Sequence, residues 1–104
     1  MKNIIIKLVL VVCMFPLLSG KPVTECKCKN IPLYGRVQVV EHHADFDVRI
    51  VSSHADIHVK KVASHPNNCG EWRFVNSHPD FTIRFVDSHE DFSIKYVDSH
   101  AGMP

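Results

Sequence analysis

Glycine and proline are sparse, four and six in 104 residues, so the chain is not a flexible or extended linker. Neither sign of charge dominates: twelve Lys plus Arg stand against eleven Asp plus Glu, a formal charge of +1. Such a balance raises no strong field to draw in nucleic acid, and Lys60-Lys61 is the only basic doublet. Long apolar runs are missing too. The longest, Leu8 to Leu18, has eleven residues, which as a helix rise about 16 Å, roughly half of a hydrocarbon core, so a permanent membrane span is not expected. At this length there is room for one small domain, and multidomain enzymes are out of reach.

What is present begins with an address. Lys2 and Lys7 flank the start of the apolar run, and Leu18-Ser19-Gly20 supplies the small residues that a signal peptidase tolerates. Residues 1–20 therefore read as a signal peptide, and the protein is expected to be secreted or periplasmic. Lipid attachment at Cys13 is disfavoured because Val12 stands where a small residue is needed. Cleavage after Gly20 would leave ten basic and eleven acidic groups, a net charge of −1 that the eight histidines would make positive below their usual pKa of about 6.5. An oxidising compartment also gives Cys26, Cys28 and Cys69 a structural use. Either of the first two joined to Cys69 closes a loop of roughly forty residues, worth ~3 to 4 kcal/mol in the chain-entropy model. A metal or redox pair at Cys26-x-Cys28 would be spaced by one residue, where such motifs usually place two or more.

From residue 36 onward the chain repeats. Valines stand at 40, 51, 62, 75, 86 and 97 and histidines at 43, 54, 65, 78, 89 and 100, both stepping by eleven except for one step of thirteen. The longer step contains Pro66-Asn67-Asn68-Cys69-Gly70, after which Trp72 is aligned with Phe81 and Phe92. Within each unit the apolar residues alternate, as in Phe81, Ile83 and Phe85, which is the period of a strand. The expected inward set is Val37, Val39, Phe46, Val48, Ile50, Ile57, Val59, Trp72, Phe74, Phe81, Ile83, Phe85, Phe92, Ile94 and Tyr96. Lys61 is a misfit on that face, expected where the face reaches solvent. The repeated valines fall on the opposite parity, so the strands need cover on both sides.

Between strands lie segments such as Asp87-Ser88-His89-Glu90-Asp91, whose side chains suit bonding to nearby backbone in turns. Five residues close a hairpin but not an ordinary parallel crossover, so local spacing points to an antiparallel meander of about six short strands. Residues 21–35 read as an N-terminal extension and residues 36–104 as the all-β repeat domain.

Asp87-Ser88-His89 and Asp98-Ser99-His100 carry the residue types of a hydrolase triad, but consecutive residues cannot place nucleophile, base and acid in line. Near-identical copies also lack the single differentiated constellation that catalysis requires, so no enzyme and no catalytic residue is expected. The reading carried forward is a structural or interaction module meeting an unidentified protein or surface partner. The alternative is a zinc- or copper-binding protein in which His43, His54, His78, His89 and His100, with Asp45, Asp56, Asp80 and Asp91, converge from several turns. Against it stands the simpler use of those histidines as exposed turn residues.

The copies of Val-Asp-Ser-His-x-Asp-Phe-x-Ile-x-Phe/Tyr, the interrupted copy with Gly70-Glu71-Trp72, and the final Val97-Asp98-Ser99-His100-Ala101-Gly102 closely resemble the 7(1) septoil knot domain family over residues 36–104. Pro66 and Pro79, where Ala is usual, and the Cys69 insertion depart from its pattern. The resemblance implies a compact all-β domain whose backbone forms a seven-crossing torus knot, a topology that general rules treat as nearly absent. It implies no cofactor and no catalytic or ligand residues, because the family has no established biochemical function.

Overall fold

Every strand of the repeat runs parallel to its neighbours. The computed structural model describes residues 22–104, and the expected signal peptide at 1–20 lies outside them. Two short strands, β1 (Lys27–Cys28) and β2 (Ile31–Pro32), pair antiparallel near the start. The repeat units then supply β3 (Gly35–Val39), β4 (Phe46–Ile50), β5 (Ile57–Lys61), β6 (Glu71–Phe74), β7 (Phe81–Phe85) and β8 (Phe92–Tyr96). These six close into a barrel in the order β3-β6-β5-β8-β4-β7.

The antiparallel meander expected from turn length is thus corrected. Hairpin reasoning assumed that consecutive strands are neighbours, and mostly they are not: β3 pairs with β6 and β7, and β4 with β7 and β8. A short connector never has to return the chain beside the strand it has left. It carries the chain onward past one intervening strand, and the partner arrives a lap later. β5 and β6 are the exception, adjacent both in sequence and in the barrel, and the residues of the long repeat step join them.

Each strand is stepped two residues against the next, always in one sense, giving a shear of twelve residues over the six pairings. So large a stagger tilts the strands steeply and stacks the inward residues in three rings. The lowest holds Gly35, Phe46, Ile57, Gly70, Phe81 and Phe92, all buried. The middle ring is Val37, Val48, Val59, Trp72, Ile83 and Ile94, each fully buried. Trp72 therefore stands level with Ile83 and Ile94, not with Phe81 and Phe92. Gly70 takes the lower level, and Gly35 lies directly opposite Trp72, where a Cβ would strike the Asp80 carboxylate. The ring of Trp72 meets Phe81 and Phe92 edge-on at 5.5 and 6.4 Å. Gly70 has no alternative there: its φ is +82°, and a Cβ would strike the His58 carbonyl.

The third ring is Val39, Ile50, Lys61, Phe74, Phe85 and Tyr96, and it differs from expectation. Val39, Ile50 and Phe85 are 47%, 51% and 39% exposed. Their parity is inward, but they sit at the strand ends, where the barrel opens to water. Lys61 belongs to the same level and is exposed as expected, its ammonium 4.4 Å from the Tyr96 ring. The opposite end is plugged by the N-terminal segment, whose Val23, Cys28 and Leu33 join the core. The Trp72 indole donates to the Leu33 carbonyl at 3.1 Å, which satisfies the one polar atom of that side chain.

Candidate functional site

The six repeated histidines share one backbone conformation. His43, His54, His65, His78, His89 and His100 have φ between +54° and +61°, the left-handed region that histidine enters more readily than most side chains. All six are exposed. Ser88 and Ser99 hydroxyls lie 3.1 and 3.0 Å from the Nδ1 atoms of His89 and His100, in each case a contact between adjacent residues. The residues expected as metal ligands, His43, His54, His78, His89 and His100, each occupy a separate turn. Among the described residues no three His, Cys, Asp or Glu side chains gather into a metal-holding group.

The repeated aspartates do something that turn chemistry does not anticipate. They bond the backbone of another lap. Thr82 N–H donates to Asp45 at 2.9 Å and Ser93 N–H to Asp56 at 2.8 Å, each across 37 residues. Arg36 N–H donates to Asp80 at 2.8 Å and Asp47 N–H to Asp91 at 2.7 Å, each across 44. Each of these four aspartates precedes a strand and caps the second residue of a neighbouring strand. The expectation of bonds within the turn is corrected, and the available signal was position: Asp immediately before the first apolar residue of each strand.

Cys26 pairs with Cys69, their Cα atoms 5.9 Å apart, and this decides between the two expected partners. The bond ties the N-terminal plug to the inserted connector. Cys28 is free and buried, and burial pushes its thiol above the ordinary range, with the Asp91 charge adding to the effect.

Two surfaces remain. The first is the barrel mouth, where a cleft of about 300 Å³ beside Tyr96 is lined by Lys60, Lys61, Val97 and Asp98. Burial raises the pKa of the Tyr96 phenol. The second is a cleft of about 450 Å³ where the repeat is broken, bounded by Ile31, Pro32 and Tyr34 of the plug, Pro66 and Asn67 of the insertion, and Arg36, Arg73, Asp80 and Phe81 of the barrel. Arg36 binds Asp80 there at 3.0 Å, and this guanidinium holds the carboxyl below its ordinary range. Sequence reading missed both surfaces. The second had a signal in the single interruption of an otherwise regular chain.

A single-chain barrel in which four of the six strands thread between strands formed three and four units away belongs to the class of wound, knotted β domains. The match to family models is specific: the chain belongs to the 7(1) septoil knot domain family, matched over residues 30–104. The resemblance seen in the repeat is thereby established, and it begins six residues earlier than the repeat suggested. No curated protein shows significant similarity to the chain. No helix among the described residues is long and apolar enough to cross a membrane.

Proposed function

We propose that the protein is an exported, non-catalytic interaction module whose working face is the barrel mouth. The carrying observation is the exposure of Val39, Ile50 and Phe85 beside the half-exposed Phe74 and Tyr96. Three of the five exposed large apolar side chains among the described residues gather at this one end of the barrel, and such a clustered patch marks a contact surface. The non-catalytic reading is supported by what the repeated polar groups already do: the aspartates hold laps together and the histidines shape turns. Export is supported by the disulfide and by the leader-like residues 1–20.

The chemistry of the partner follows from the rim. Glu41, Asp87 and Asp98 stand two residues beyond Val39, Phe85 and Tyr96, all exposed, and none joins an ion pair among the described residues. Lys60 and Lys61 are the basic side chains lining the cleft beside Asp98. An acidic rim around an apolar centre fits a cationic, amphipathic protein segment. It opposes an anionic lipid surface, nucleic acid, and a second copy facing itself.

Fluorescence anisotropy with a labelled amphipathic Leu/Lys peptide tests this, with a Leu/Glu peptide as control. The expected result is saturable, salt-sensitive binding of the Leu/Lys peptide alone, lost in the Ile50→Ser, Phe85→Ser double variant. Binding that survives the double variant, equal binding of the acidic peptide, or no binding would overturn the assignment. So would a concentration-dependent dimer abolished by the same substitutions.

A further inference from the structure

The chain has four arginines, at 36, 49, 73 and 84. Three are matched to carboxylates: Arg36 to Asp80 at 3.0 Å, Arg49 to Glu90 at 3.1 Å and Arg84 to Asp47 at 3.0 Å. Arg73 alone has no carboxylate partner among the described residues, and its strand position explains why. Arg84 lies directly across from Asp47 on the neighbouring strand. The equivalent pairing for Arg73 is with Arg36. A cross-strand carboxylate has been replaced by a second cation, and that cation is already held by Asp80. Like charges facing each other on paired strands are unfavourable unless something neutralises them.

This uncompensated guanidinium opens onto the 450 Å³ cleft, a volume within the range of small-ligand sites. Ile31, Pro32, Tyr34, Pro66 and Phe81 give the cleft an apolar side next to one unmatched cation, and Asp80, the one carboxylate lining it, is held by Arg36. Tyr34 is 39% exposed and presents part of its ring. The Cys26–Cys69 bond joins the plug and the insertion, both of which line the cleft, and so limits how far they can part before a ligand arrives.

We propose that this cleft is a binding site for a carboxylate carried on an apolar or aromatic body, with Arg73 as the anchoring residue. A planar guanidinium meets a carboxylate through two parallel hydrogen bonds, which favours this anion over a halide or a neutral amide. Two sources share that chemistry, a free aromatic acid and the C-terminus of a peptide. The site is separate from the barrel mouth, and its test does not depend on the fate of that assignment.

The full chain is titrated, disulfide intact, with benzoate, with a short peptide ending in a free phenylalanine carboxylate, and with the same peptide amidated, while backbone and arginine side-chain NMR signals are followed. Saturable shifts at Tyr34, Asn67 and Arg73 are expected from at least one acid and not from the amide. Shifts from benzoate alone assign the site to small acids, and shifts from the peptide alone assign it to chain ends. Arg73→Gln should lower affinity by at least about tenfold, and Arg73→Lys should recover part of the loss. Arg73 is exposed and faces Arg36, so a thermal midpoint in Arg73→Gln no lower than that of the wild type confirms that folding is intact. Absence of saturable shifts with either acid, equal response to the amide, or undiminished binding by Arg73→Gln overturns the proposal.

Discussion

Asp56 and Ser93 hold each other through both backbone and side chain although 37 residues separate them. The Ser93 amide donates to the Asp56 carboxylate at 2.8 Å, and the Asp56 amide reaches the Ser93 hydroxyl at 3.1 Å. Ser93 is the one buried polar side chain among the described residues. Asp45 and Thr82 repeat the arrangement at the surface.

The two latches should therefore differ in energetic weight. Asp56→Ala strands a buried amide and hydroxyl and is expected to cost about 1–3 kcal/mol. Asp45→Ala exposes the same groups to water and should cost clearly less. Urea unfolding of the two variants measures the difference, and equal losses would count against burial as the cause.

The turn histidines make an opposite kind of prediction. If their backbone conformation is what matters, His89→Gly and His89→Asn should be neutral or stabilising, because both residues accept positive φ. His89→Val should cost about 1–2 kcal/mol in the same measurement. Equal destabilisation by all three substitutions would show that the imidazole itself is needed.

Acid should weaken one contact in a defined direction. Asp80 has a folded pKa below its ordinary value of 3.8, chiefly through its bond to Arg36. Its contribution is thus fully present above 3.8 and is lost as pH falls through that value towards the lower folded one. The stability gap between the wild type and Asp80→Asn should shrink between about pH 6 and about pH 2. Both partners are nearly half exposed, so added salt should narrow the gap as well.

The cysteines should separate cleanly. Cys69→Ser opens a bond that spans 43 residues and is expected to cost about 4 kcal/mol in the chain-entropy model. Cys28 is buried with a raised thiol pKa, so iodoacetamide should modify it in the native protein far more slowly than in urea. Rapid native labelling would contradict its placement in the core.

Much of the fold is legible in the eleven-residue period. Alternation within each unit identifies the two buried rings, from Phe46 and Val48 to Phe92 and Ile94, because parity is a local property of extended chain. Strand direction is not legible in that way. Val48 lies across from Phe92, and nothing near Val48 encodes that distance. The same remoteness hides the partners of Asp45, Asp56, Asp80 and Asp91. Val39, Ile50 and Phe85 carry the right parity for burial, but parity says nothing of height along the barrel, and height exposes them. Of the candidate site, the histidines and cysteines stand out by type. Arg73 acquires significance only once Arg36 lies opposite.

The order of strands also constrains how the domain can be made. β8 fills the place between β5 and β4, and Gly102 then bonds His58 in both directions at 2.8 Å, sealing the seam beside Gly70. A chain emerging from the ribosome with residues 22–90 already out still lacks one stave and the closing clasp. Closure of the barrel therefore waits until β8 and Gly102 have been synthesised, however much of the rest has already formed.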